Sequence, residues 1–281
     1  MNIEKLLEDM KNDFLYGKMD VKQLVSELGS ENFIKFLLDN TGNPNSLVRE
    51  NVLALVEVDY FSHEECIEML NTYLGNSHLL NGLGSKENDF VFWRSFSSLV
   101  IGYFAEMDGN MNFLSQDQYM EALNKGIEYM FKEVDRRGYV TGKGWAHATA
   151  HGADMLLALV SHPKFPIEYA DKVLDCIKFH ITSPDRFSHG EEKRLSKIIP
   201  ALIDQGLSEH VIKGWIDSLL PRAKTKIYSD ENYEDVKILM NIEYFLVALH
   251  FALGEGAASD SIRKYIKEFV LTIWKWAYAH N

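Results

Sequence analysis

The feature that most constrains this chain is the spacing of its breaks. From Thr41-Gly42-Asn43-Pro44-Asn45 onward, turn residues recur at intervals that leave helix-length segments between them, and those segments come in closely spaced pairs. Ser46 to Val58 is followed by Ser62 to Leu74, where Ser62 and Glu65 form a capping-box signature. Asp89 to Met107 is followed by Gln116 to Asp135, Gly144 to Ser161 by Pro166 to Ile181, Glu191 to Gln205 by Ser208 to Leu220, and Tyr233 to Leu253 by Ser259 to Tyr278. Pairs of roughly 30 to 47 residues have the length at which helical repeats stack. Pro200, inside one of these segments, predicts a kink or a restart near Ile199. No alternating run competes as a strand apart from the short Gly138-Tyr139-Val140-Thr141. The spacing therefore predicts an all-α chain of paired antiparallel helices in a HEAT-like right-handed superhelix, with a closed α/α ring as the alternative. We expect one domain over 1–281, with residues 1–43 as a helical N-terminal cap and 44–281 as stacked pairs.

Bulk properties narrow the function. The chain has 281 residues, 46% of them hydrophobic, which is enough for a large core. Its formal net charge is −12 and no basic run exceeds Arg136-Arg137, so nucleic acid is excluded as a partner. The N-terminus carries Glu4, Glu8 and Asp9 where a secretion signal carries base and then an apolar run. The apolar tract Ile238 to Leu253 is interrupted by Asn241, Glu243 and His250 and is shorter than the roughly 20 residues a spanning helix needs, so it reads as a buried helix. Cys66 and Cys176 read as two buried thiols. A cytoplasmic protein without a membrane partner is expected.

Chemistry concentrates in one stretch, Arg136 to Asp154. A glycine-punctuated turn runs into a segment read as helical from Gly144, on which His147, His151 and Asp154 form one narrow stripe. A solvated helix face is normally built from Lys, Glu and Arg, and none occurs between Gly144 and His162. Small neighbours such as Ala148, Gly152 and Ala153 leave room for another backbone or a ligand, so the stripe is expected to face a groove or an adjacent helix. Three uses stay open. The two imidazoles and the carboxylate can ligate a divalent metal such as zinc. Asp154 can orient His151 as a general base. All three groups can form a packing network. Ala148 follows His147 where a metalloprotease carries its glutamate, which excludes that class. Arg94 is a candidate to pair with Asp154 or with a ligand carboxylate. Trp145 and Arg137 are expected to line the groove, with His189, Glu191 and Glu192 as possible further ligands.

Three blocks resemble an uncharacterised bacterial family catalogued as domain of unknown function 2785. They are Asn88-Asp89-Phe90-Val91-Phe92-Trp93-Arg94-Ser95-Phe96-Ser97, Arg137-Gly138-Tyr139-Val140, and Gly144 through Asp154. Leu47-Val48-Arg49-Glu50 is similar to that family's opening block, so the likeness runs from about 44 to 205. The resemblance implies a helical fold and makes Arg94, Arg137, Trp145, His147, His151 and Asp154 part of the family's own pattern. It brings no activity. Two functions remain as expectations: a scaffold or ligand-binding module for a protein or small molecule, or a metal-dependent hydrolase-like enzyme using the same residues.

Overall fold

Helix starts in this chain are set by short polar side chains that accept from the first free backbone N–H groups. In the computed structural model, which describes residues 2–13, 15, 20–58, 60–224 and 233–278, Asn2, Asp20, Asn45, Ser62 and Ser115 all act in this way. Ser62 with Glu65 and Ser115 with Gln118 complete reciprocal capping boxes. The described residues are mostly helical and almost without strand, as the spacing predicts.

The chain divides into two compact units, Met1–Leu159 and Val160–Asn281. The first holds α1 (Ile3–Asn12), α2 (Val21–Leu28), α3 (Ser30–Asn40), α4 (Ser46–Val56), α5 (His63–Tyr73), α6 (Phe90–Met111) and α7 (Gln116–Lys132). A two-stranded hairpin, β1 (Tyr139–Val140) and β2 (Gly144–Trp145), leads into α8 (Ala148–Ser161), within which the division falls. The short exception at Gly138 to Thr141 is thus β1 and its turn.

In this unit α6 packs against α4, α5 and α7. It buries Val91, Phe92, Phe96, Val100, Ile101 and Phe104 almost completely. Each large apolar side chain so buried is worth about 1.5–3 kcal/mol, which makes α6 the spine of the unit. Its partner α8 approaches α7 closely because Gly152 has no side chain: a Cβ there would lie 2.5 Å from the Met130 sulfur and 2.8 Å from Tyr129. Tyr129 and Tyr119 fix the contact by donating their hydroxyls to the carbonyls of Ala148 (3.0 Å) and Leu159 (2.7 Å). Part of the small-residue pattern therefore serves helix packing.

The second unit contains a 3-10 turn at Ile167–Tyr169 and α9 (Ala170–Ile181), α10 (Glu191–Ser196), α11 (Ile198–Asp204), α12 (Glu209–Asp217), α13 (Leu220–Ala223), α14 (Tyr233–Ala252) and α15 (Ala257–Ala277). The segment holding Pro200 breaks at Lys197, because proline has no N–H to offer the carbonyl four residues back and its ring crowds that carbonyl. One expectation needs correction. The tract from Ile238 is not buried all round: Asn241 is fully buried and ties down the carbonyls of Ser183 and Asp185, while Tyr244, Val247 and Phe251 are exposed. Trp274, Trp276 and Tyr278 are also exposed, and Ile266, Phe269 and Ile273 form the inner face of α15 instead. No helix among the described residues is long and apolar enough to cross a membrane.

Candidate functional site

The hairpin and the start of α8 build the site, and their geometry differs from a plain helical stripe. The helix begins at Ala148, not at Gly144, because the hairpin takes Gly144 and Trp145 into its ladder, with Tyr139 opposite Trp145 and Val140 opposite Gly144. His147 lies between strand and helix in the left-handed region, at φ 48°. Its carbonyl accepts the first helical bond from His151 N–H (2.9 Å), and its own N–H donates to the carbonyl of Arg137 (3.1 Å). A non-glycine residue held there costs about 1–3 kcal/mol and persists only where the surroundings fix it, which is why such positions cluster at functional sites.

The surroundings that fix it are aromatic. The His147 ring stacks on Trp145, with centroids 4.3 Å apart and planes at 21°. Tyr139 meets Trp145 edge-on at 5.2 Å, His151 meets His147 edge-on at 5.6 Å, and Phe96 meets His151 edge-on at 5.4 Å. A ladder of five rings thus runs from Tyr139 and Trp145, which are 55% and 40% exposed, down to fully buried Phe96. His147, His151 and Asp154 are each half-buried.

Beneath the ladder lies a residue that sequence reasoning quoted without giving it a role. Arg49 is fully buried, its guanidinium 4.0 Å from the ring centre of Phe92 and 4.8 Å from that of Phe96. It donates to the carbonyls of Asn43 (2.6 Å), Lys143 (2.6 Å) and Trp145 (3.2 Å), so it draws both ends of β2 onto α4. Gly144, at φ 78°, permits this approach, since a Cβ there would stand 2.7 Å from that of Ser46. The Nε–H meets no acceptor among the described residues. Burial without a carboxylate in contact lowers the Arg49 pKa to about 10. The only signal of this role in the sequence was a basic residue amid apolar ones in Leu47-Val48-Arg49-Glu50.

The acidic and basic residues ahead of the hairpin lock it in place. Arg137 grips Asp135 through Nε (2.8 Å) and Nη2 (2.7 Å) and also donates to the carbonyl of Asn88 (2.7 Å). Asp135 accepts in turn from the Glu87 N–H (2.9 Å). Lys143, in the hairpin turn, donates to both oxygens of Asp89 (2.6 and 2.7 Å). Arg137 is therefore half-buried and holds the loop ahead of α6.

Arg94 does not take the place expected of it. Fully buried, it pairs with Glu133 through Nε (2.5 Å) and Nη2 (3.0 Å), and the remaining N–H groups reach the carbonyls of Asn81 (2.8 Å), Gly82 (3.2 Å) and Ser85 (3.3 Å). A guanidinium has five N–H donors, and all five are committed to protein. Arg94 closes the loop between α5 and α6. In the second unit, Glu191 accepts from the N–H groups of Ser188 (3.2 Å) and His189 (2.9 Å) and so orders its own loop.

The donor set can also be tested against a metal. Among the described residues no group of three or more His, Cys, Asp or Glu side chains is placed to hold an ion. His147 and His151 face each other as an aromatic pair instead.

Fold and site together define a mostly helical protein that carries an aromatic-lined imidazole pair where a short hairpin enters α8. The chain belongs to the family described as Protein of unknown function (DUF2785), whose model matches residues 79–251. That match begins later and ends later than the blocks from 44 to 205 suggest. No curated protein and no solved structure matches the chain.

Proposed function

We propose that this protein is a ligand-binding module whose recognition element is the hairpin Tyr139 to Trp145 together with His147, His151 and Asp154. The observation that carries the reading is the ring ladder: two exposed aromatic side chains stand over two half-buried imidazoles, and the backbone at His147 is strained to keep them there. Such a surface suits a ligand with a flat face, a heterocyclic or sugar ring or an aromatic side chain, which stacks against the exposed rings of Trp145 and Tyr139. The metal-dependent hydrolase reading draws on the same three residues, but Arg94 has no donor left for a substrate and the donor set lacks a third converging ligand among the described residues. The module reading is therefore the one we put forward.

Around that site we propose one functional domain over 1–281, residues 1–43 serving as its cap and the helix pairs stacking in the HEAT-like way. A family match that runs through residues of both units supports treating them as one domain. The packing of α3 on α4 and α5, and of α5 on α6, supports nearest-neighbour stacking in the first unit. Two buried cysteines that remain thiols support a reducing, cytoplasmic setting.

Titration of tag-free protein with adenosine, glucose and tryptophan, followed by the histidine ring proton NMR signals, tests the reading. At least one probe should move the His147 and His151 signals to saturation, and Trp145→Ala should lose the response while melting near wild type. Signals that none of the three probes moves, or that respond equally in Trp145→Ala, would overturn it.

A further inference from the structure

The first unit also contains a cleft of about 580 Å³ that shares none of its lining with the hairpin site. It lies between α3 on one side and α5, the start of the following loop and α6 on the other, and its volume is in the range of small-molecule sites. Its wall is aromatic. The Trp93 ring lies on Gly42, where a Cβ would fall 2.2 Å from the indole, so glycine is the residue that lets the ring sit there. His78 meets the indole edge-on at 5.3 Å and Tyr73 edge-on at 5.1 Å. The half-exposed remainder of Trp93 lines the cleft with Ile34 and Leu38.

Around this apolar wall the charge is negative. Glu31 and Asp39 stand at the rim, and the single lysine there, Lys35, is tied to Asp39 at 2.6 Å. His78 adds no opposing charge: buried, and bonded through Nε2 to the Leu38 carbonyl (3.1 Å), it is held neutral by a pKa below the ordinary histidine value. An indole beside a net-negative rim is the chemistry that receives an ammonium group, because the ring quadrupole and the carboxylates attract a cation together. The chain's net charge of −12 draws cations toward it from a distance.

We propose that this cleft binds a small organic cation, an alkylammonium or quaternary ammonium compound, seated against Trp93 at the net-negative rim of Glu31, Lys35 and Asp39. The claim is independent of the hairpin site, and either can fail alone.

Calorimetric titration of the full chain with choline and with its uncharged isostere 3,3-dimethylbutan-1-ol separates cation recognition from simple apolar filling. Choline should give a saturable heat, and the neutral analogue should bind roughly tenfold more weakly, the factor expected for one partly desolvated cation–π contact. Trp93→Leu should abolish the choline heat. The double variant Glu31→Gln with Asp39→Asn, both exposed positions that leave the core intact, should weaken choline several-fold with no change in melting. It decides the matter if Trp93→Leu fails to fold. Absence of choline binding, equal affinity for the two probes, or a folded carboxylate double variant that binds choline like wild type each overturns the proposal.

Discussion

Two arginines of the first unit are equally hidden from solvent and held in opposite ways. Arg94 has a buried carboxylate partner in Glu133 and an acceptor for each of its N–H groups. Arg49 has two phenylalanine faces and three carbonyls, and no carboxylate in contact. The first is an anchor: its charge is neutralised where it sits, and burial pushes the Glu133 carboxyl up against the opposing pull of the guanidinium. The second keeps its charge under the ring ladder with no carboxylate in contact, Glu50 and Asp89 acting on it only through the field. Full commitment of donors goes with a loop that must stay closed. Incomplete commitment goes with the segment whose backbone carries strain and whose rings reach solvent.

The comparison can be broken at its strong end first. Glu133→Ala leaves the Arg94 charge buried without a partner and should cost about 3–5 kcal/mol in urea unfolding, whereas Arg94→Met with Glu133→Leu should recover much of that loss. A Glu133→Ala variant as stable as wild type would mean that Arg94 is not an anchor. Arg49→Met keeps the stem volume, removes a charge that has no carboxylate in contact and orphans three carbonyls, so we expect a smaller loss, about 1–3 kcal/mol. Hydrogen exchange should then accelerate at the hairpin before it does elsewhere in the unit.

Buried bases without a carboxylate in contact should also show themselves in pH dependence, and His78 titrates in an accessible window. Burial holds its folded pKa below the ordinary 6.5. As pH falls through that value the unfolded chain takes up a proton that the folded chain refuses, so stability is present above about 6.5 and is lost on acidification toward the lower folded pKa. The unfolding free energy from urea titrations between pH 8 and 5.5 should fall in wild type by up to about 1.4 kcal/mol per pH unit from this group. In His78→Phe the slope should flatten, and identical slopes would remove His78 from the account. The smallest effect is expected at the exposed end of the ladder, where Trp145→Ala should cost about 0.5–1.5 kcal/mol, the worth of the ring contact, while ligand binding is lost. A larger loss would make Trp145 a packing residue and would count against the binding role.

Much of the fold was legible because helix caps and apolar spacing are local. Ser62 with Glu65, the breaks at glycine, proline and asparagine, and the interruption ahead of Pro200 all act within a few residues of where they are written. The candidate site was legible as a place but not as a geometry. His147, His151 and Asp154 were brought out by their spacing, yet the helical stripe drawn through them assumed that His147 was helical. A hairpin of two-residue strands is too short to leave a period, and nothing local announces a left-handed histidine. The partner of Arg94 is not legible in the sequence for a related reason: Glu133 lies 39 residues away.

By itself the sequence determined the all-helical class, the helix boundaries set by capping side chains, and the segment in which imidazoles gather away from lysine and glutamate. Only tertiary structure decided what those imidazoles touch. The contact that orients the hairpin joins Arg49 to the Lys143 carbonyl across 94 residues of chain. Its strength comes from burial between two phenylalanine rings, a property of the packed interior and not of either segment alone.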